Sequence, residues 1–231
     1  DKVTIYDLDG KLVNRPVQKS KLKAGQTDKG NFDHFMQKEI FEQPQAIRDT
    51  LESRITNDSV ISSSFGHKAD EIFRSIAQIQ IVACGTSYNA GLVAKYWIED
   101  IAKIPCNVEI ASEFRYRKPF IDPKGLVITI SQSGESIDTL MAMRHAQEFG
   151  VKSVAIINSI GSTIDRESNY SLYTRAGSEI AVASTKAFTA QLIVLLSVCI
   201  AFSETKNKNI NEIKLIKSNL FKIPGAVAKA L

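Results

Sequence analysis

Short apolar runs separated by helix-like stretches constrain this chain more than any other feature. Ile79 to Ala83, Leu126 to Ile130 and Ser153 to Ile157 are nearly continuous in apolar residues, the pattern of strands buried on both faces. Asn107 to Ile110 and Ser171 to Thr174 read as two further strands. Helical patterns lie between them, at about Tyr88 to Ile101, Ser112 to Arg117 and Asp138 to Phe149, and a long apolar helix ends near Phe202. Strands alternating with helices at this spacing predict an α/β fold, with a five-stranded parallel sheet between two helical layers. A flavodoxin-like strand order, 2-1-3-4-5, would set the first and third strands side by side. Ligands in such sheets bind beyond the carboxyl ends of the strands, where strand order reverses.

The chemistry-bearing turns fall at those ends. Ser131-Gln132-Ser133-Gly134-Glu135-Ser136 joins the third strand to a helix, and Cys84-Gly85-Thr86-Ser87 occupies the same position one unit earlier. Glu179-Ile180-Ala181-Val182-Ala183-Ser184-Thr185-Lys186 leads from the fifth strand into the long helix. Unpaired N–H groups and the dipole at a helix N-terminus attract anions. The hydroxyls of Ser131, Ser133 and Ser136 would complete a phosphate cradle that contains no lysine. Serine and glutamate near a helix start also serve as plain caps; three hydroxyl-rich turns converging on one crevice favour the ligand. The turn lacks the Gly-Lys-Ser/Thr ending of a nucleotide phosphate loop, so ATP and GTP are not expected.

Other titratable groups read as structural. Glu135 and Glu179 sit near helix starts, where capping or pairing outweighs a general-base role. His34, His67 and His145 are scattered and suit solvated or packing roles, and Cys84 ends a buried strand. Cys84, Cys106 and Cys199 have no pairing or metal-ligand spacing, which fits reduced thiols in a cytoplasmic protein with no metal or cofactor. The net charge of +4, from 29 basic and 25 acidic residues, is spread without a dense block and argues against nucleic acid as a partner. No charged leader opens the sequence, and Leu192 to Phe202 falls short of the roughly 20 residues of a bilayer span. Neither a signal peptide nor a membrane partner is expected.

The ends of the chain read differently from its middle. Lys2 to Tyr6, the turn signal Asp9-Gly10 and Leu12 to Val17 predict one β-hairpin, the remnant of a larger domain, followed by a linker over Lys19 to Gly30. A helical lead-in begins at Phe32. Pro44 is expected to interrupt it, with a second helix over Gln43 to Ile55. Asn57 to Ser64 reads as a polar turn region and Lys68 to Ala77 as a short helix. The tail, Thr205 to Leu231, is helical through Ile210, Ile213, Leu220 and Phe221, with another helix starting near Pro224. Its apolar face, and that of the helix ending at Phe202, predict a further covering surface such as a homodimer contact.

Four segments together resemble the glutamine–fructose-6-phosphate aminotransferase family, the glucosamine-6-phosphate synthases. They are Ala83 to Ser87, Glu109 to Arg117, Ser131 to Glu135, and Val182 to Lys186, in the family's order. The resemblance implies a sugar isomerase (SIS) domain with helical lead-in over 31–205, the end of a glutaminase domain and linker over 1–30, and a helical connection to a second SIS domain over 206–231. It further implies that Ser131, Gln132, Ser133 and Ser136 bind a sugar phosphate group, while Thr86, Ser87, Val182 and Ser184 line the sugar, fructose 6-phosphate or glucosamine 6-phosphate. Ser136 stands where the family usually has threonine, and the hydroxyl is kept. The family's cysteine nucleophile, isomerase base, partner-subunit histidine and C-terminal lysine have no counterpart in these residues. A fragment rich in phosphate-binding groups and poor in acid–base groups is therefore implied. The competing readings are a sugar-phosphate sensing module and a stand-alone aldose–ketose isomerase.

Overall fold

The computed structural model describes residues 3–16, 28–52, 54–56, 60, 65 and 69–231. At the N-terminal end, β1 (Ile5–Tyr6) and β2 (Leu12–Val13) form an antiparallel hairpin. Asp7 closes it, its Oδ1 accepting the N–H groups of Asp9 and Lys11 at 3.0 and 2.8 Å. The second strand is shorter than its sequence pattern, and Val17 lies outside the described residues. So do most of the predicted linker, His67, Lys68 and most of the predicted turn region 57–64.

Helix α1 (Phe35–Leu51) runs straight through Pro44, where an interruption was expected. A proline there strips the Ile40 carbonyl of its normal partner. The Gln43 side-chain amide donates to that carbonyl at 3.1 Å and replaces the lost bond. Pro44, Ala46, Ile47 and Leu51 are buried, so packing along the helix offsets the remaining cost. The predicted second helix is thus the C-terminal half of α1.

The sheet follows the predicted order. After α2 (Ala69–Ser75) come β3 (Gln78–Ala83), α3 (Gly85–Trp97), β4 (Cys106–Ile110), α4 (Ala111–Phe114), β5 (Gly125–Ser131), α5 (Ile137–Glu148), β6 (Lys152–Ile157), α6 (Thr163–Glu167), β7 (Tyr170–Tyr173) and α7 (Lys186–Thr205). All five strands are parallel in the order β4-β3-β5-β6-β7, which is 2-1-3-4-5 within the sheet. Side chains alternate between faces, as the two-residue period of a strand requires. Ile79, Ile81, Leu126, Ile128, Ile130 and Ile156 point into one core with α2, α3 and α7, whereas Val82, Val127, Ala155 and Ile157 face α4, α5 and α6. The three-layer reading therefore holds. Helix α3 begins three residues earlier than its pattern suggested and ends in a π-helical turn, Ile98–Ala102.

Helix α7 has the length and apolarity of a membrane span, yet 72% of its most apolar stretch is buried within the protein. It packs against α1, α2 and α3, and against α8 (Ile210–Leu220). The surface predicted to need a partner subunit is accordingly covered by the chain itself. The tail is covered only in part: Ile213 and Leu220 enter the main core and α9 (Ile223–Ala230) lies on α1, whereas Ile210, Leu215 and Phe221 stay exposed. The periodicity of these segments identified apolar faces correctly but could not say which surface would meet them.

Candidate functional site

Strands β3 and β5 are hydrogen-bonded neighbours, with Ala83 in register with Ile130. Their chains leave the sheet side by side. The crossover after β3 runs to β4 on one side, and that after β5 runs to β6 on the other, so a crevice opens between the two turns. The segment before α7 closes it. The resulting cleft, about 240 Å³, is lined by all eight residues singled out from sequence: Thr86, Ser87, Ser131, Gln132, Ser133, Ser136, Val182 and Ser184. Cys84, Ile130, Thr139, Glu179 and Ala181 complete its wall.

The serine turn holds its shape by internal hydrogen bonds. Buried Ser131 Oγ accepts the Gly134 N–H at 3.0 Å and lies 3.0 Å from Ser136 Oγ. Ser133 Oγ accepts the Glu135 N–H at 3.2 Å. Gly134 has φ +68°, and a Cβ there would lie 2.0 Å from Ser162 Oγ. Only glycine satisfies both the left-handed backbone and that close approach. Two backbone bonds tie the turn to its neighbours: the Gln132 carbonyl accepts from Asn158 N–H and the Gly134 carbonyl from Ile164 N–H, at 3.1 and 3.0 Å. Glu135 accepts the Thr163 N–H at 2.8 Å, which holds its carboxyl below the ordinary carboxylate range. Its role is a brace, as its position near a helix start suggested.

Three helix N-termini face the cleft, those of α3, α5 and α7. Their N-cap residues Cys84, Ser136 and Thr185 make no side-chain cap hydrogen bond. First-turn amides at the starts of α3 and α5 are therefore open to an anion, and their dipoles add partial positive charge, whereas at α7 the Ala187 N–H is taken by the Glu179 carboxylate. Ser87 Oγ accepts from Gln191 Nε2 of α7 at 3.0 Å, which fixes the first turn of α3 against the long helix. Arg115 pairs with Asp138 in the first turn of α5 at 2.6 Å, neutralising the carboxylate nearest that helix start. Among the described residues, no three His, Cys, Asp or Glu side chains gather as a metal site.

Glu179 caps the start of α7, as its position near a helix start suggests: its carboxylate accepts from the N–H groups of Thr185 and Ala187 at 2.8 and 3.1 Å and from Ser184 Oγ at 3.2 Å. Several other groups that build the site were not found from sequence. Glu39, 2% exposed on α1, accepts from the Ile180 and Ala181 N–H groups. Asn158 binds Thr174 Oγ1, the Ala176 N–H and the Gly177 carbonyl. Glu39 shares a helix face with Gln43 and Ile47. A carboxylate on that apolar face was the one available signal. His145, wedged between Phe114 and Phe149 and bonded to the Arg117 carbonyl, is a packing residue remote from the cleft wall.

Comparison with known proteins agrees with this geometry. Residues 72–201 match the family model described as SIS domain. The chain is 48% identical over 231 residues to a glutamine–fructose-6-phosphate aminotransferase (isomerizing) of Aliivibrio fischeri, covering 99% of this chain and 38% of that protein. It is 52% identical over 207 residues to the Vibrio vulnificus protein of the same name, covering 89% of this chain and 34% of that one. It therefore spans under two fifths of the length of these relatives. Among solved structures, the C-terminal domain of the glucosamine-fructose-6-phosphate aminotransferase of Francisella tularensis superposes with a TM-score of 0.82 at 44% identity, over 86% of this chain and 56% of that one.

Proposed function

Since the chain belongs to the SIS domain family, we propose that it is the sugar-phosphate-binding isomerase portion of a glutamine–fructose-6-phosphate aminotransferase. The parent reaction moves ammonia from glutamine to fructose 6-phosphate and isomerises the product to glucosamine 6-phosphate. One observation carries the reading: the four phosphate-directed residues and the four sugar-directed residues, drawn from three separate segments, line a single cleft beside the uncapped starts of α3 and α5. In this reading Ser131, Gln132, Ser133 and Ser136 hold the phosphate, and Thr86, Ser87, Val182 and Ser184 hold the sugar. A dianion there is bound by hydroxyls and amides; charge-assisted hydrogen bonds are roughly twice as strong as neutral ones. The cleft, about 240 Å³, approaches the ~300 to 1,000 Å³ usual for ligand pockets.

The reading divides the chain into the end of a glutaminase domain with linker (1–30), a first SIS domain with its lead-in (31–205) and a connection to a second SIS domain (206–231). It assigns the proton-moving groups to that second half, because both carboxylates near the cleft, Glu135 and Glu179, are committed to backbone N–H groups. A cytoplasmic homodimer is part of the same proposal. Exposed Tyr96, Tyr116 and Phe120 supply apolar contact surface for it. Titration calorimetry with fructose 6-phosphate, glucose 6-phosphate, fructose and inorganic phosphate tests the reading. Both sugar phosphates should bind more tightly than either half-ligand. Equal affinity for fructose and fructose 6-phosphate would refute a phosphate cradle, and interconversion of the two sugar phosphates by this chain would refute the missing base.

A further inference from the structure

The segment that presents Val182 and Ser184 is held in an unusual way. Residues 178–184 form no helix or strand, and their apolar side chains do not anchor them: Val182 is fully exposed and Ile180 is 42% exposed. Carboxylates anchor them instead. Glu179 grips the end next to α7, as described above. The other grip comes from a distant part of the chain. Glu39, almost completely buried on α1, accepts the Ile180 N–H at 2.6 Å and the Ala181 N–H at 3.0 Å through one oxygen, and the Thr185 hydroxyl at 3.4 Å through the other.

The placement follows from helical spacing. Glu39, Glu42 and Gln43 lie on one face of α1, and each meets the approach to α7 in turn. Glu42 pairs with Lys186 at 2.6 Å and Gln43 accepts from Thr189 Oγ1 at 2.6 Å. Glu42 and Gln43 thus bind the helix itself, whereas Glu39 binds the loop ahead of it. Two adjacent backbone N–H groups turned toward one carboxylate oxygen fix the peptide planes on the amino-terminal side of Val182. A buried carboxylate is costly unless such donors satisfy it, so Glu39 and the loop hold each other in place.

We propose that Glu39 is a positioning residue for the sugar end of the cleft: it sets the 180–185 segment so that Val182 and Ser184 meet the hexose, and it has no part in holding the phosphate. The inference rests on the sugar-phosphate reading above. The serine turn makes its own hydrogen bonds and owes none to Glu39. Loss of Glu39 should therefore separate the two ends of one ligand.

The test measures fructose 6-phosphate and inorganic phosphate binding to the full 231-residue chain and to Glu39→Ala, Glu39→Asp and Glu39→Gln. Amide exchange at Ile180 and Ala181 is followed in the same samples. Alanine should weaken fructose 6-phosphate about tenfold or more, change inorganic phosphate less than about twofold, and speed exchange at both amides. Glutamine keeps a carbonyl oxygen at the same reach and should restore most of the affinity; aspartate, one methylene shorter, should not. If the alanine variant does not fold, the glutamine and aspartate pair decides the question by the same ratio. Parallel loss of both ligands, or fructose 6-phosphate affinity unchanged with exchange accelerated, would overturn the role of Glu39. An unsubstituted chain that fails to bind fructose 6-phosphate would instead overturn the underlying reading, a distinct result.

Discussion

Replacing Gly134 by alanine tests whether the serine turn is a rigid cradle or an adaptable loop. Two costs add. A left-handed backbone at φ +68° costs an L-residue about 1–2 kcal/mol. The new methyl would also lie 2.0 Å from Ser162 Oγ and 2.6 Å from Ser162 Cβ, and overpacking of this kind costs about 1–3 kcal/mol. The turn cannot easily retreat, since the Gly134 N–H is bonded to Ser131 Oγ and its carbonyl to the Ile164 N–H. The sum, about 2–5 kcal/mol, stays below the ~5–15 kcal/mol stability of a typical domain. Two companions separate the terms. Gly85→Ala carries only the backbone cost, because its φ is +57° and no atom lies within 4 Å of the added Cβ. The double variant Gly134→Ala, Ser162→Gly removes the colliding atoms. Ser162 Oγ has no hydrogen-bond partner and glycine is a tolerated N-cap, so this change alone should cost little. Urea unfolding should rank Gly134→Ala as the least stable, with Gly85→Ala and the double variant both near 1–2 kcal/mol below the parent. Equal losses for Gly134→Ala and the double variant would refute the steric argument.

Further outcomes follow from other contacts. Ser131→Ala leaves the buried Gly134 N–H without its acceptor and should cost about 1–3 kcal/mol in urea unfolding. Gln43→Ala removes the donor to the Ile40 carbonyl and the acceptor for Thr189; a loss of about 1–3 kcal/mol is expected, where an unchanged midpoint would show that α1 tolerates its proline without help. Burial pushes the Cys106 and Cys199 thiols up from the ordinary 9.0 to about 12. Because the unfolded thiols ionise first, their stabilisation is complete below pH 9 and declines as pH rises toward 12, by up to ~1.4 kcal/mol per pH unit and thiol. Urea midpoints across that range should fall more steeply for the parent than for Cys106→Ala, Cys199→Ala. Cys84 lines the cleft and is half-buried, whereas Cys106 and Cys199 are buried; a thiol reagent should therefore modify one cysteine quickly and two only on unfolding.

Fold class and strand order were readable because they depend on patterns that one segment carries by itself. Ile79 to Ala83 and Leu126 to Ile130 declare strands buried on both faces, and the hydroxyl turns that follow them declare helix starts. Order then follows from the few ways such units wind. Contacts between distant segments were not readable. Nothing local to Pro44 reveals that the Gln43 side chain will serve the Ile40 carbonyl. The apolar face of α7 looked like a subunit contact because the sequence does not say that α1, α2, α3 and α8 meet on it. In the site, the lining side chains were legible as motifs, whereas Glu39, Asn158 and Gln191, which hold those motifs in place, act from other elements and carry no motif of their own.

If one cleft binds one hexose phosphate, with the phosphate at the start of α5, backbone amide shifts recorded by NMR during titration with fructose 6-phosphate should be largest at Ser131 to Thr139. Smaller changes are expected at Cys84 to Ser87 and at Val182 to Ser184, and all should be lost in Ser133→Ala. Shifts centred instead on a separate polar cleft, lined by Glu42, Asp49, Arg175, Gly177 and Lys186, would contradict a phosphate site at the start of α5.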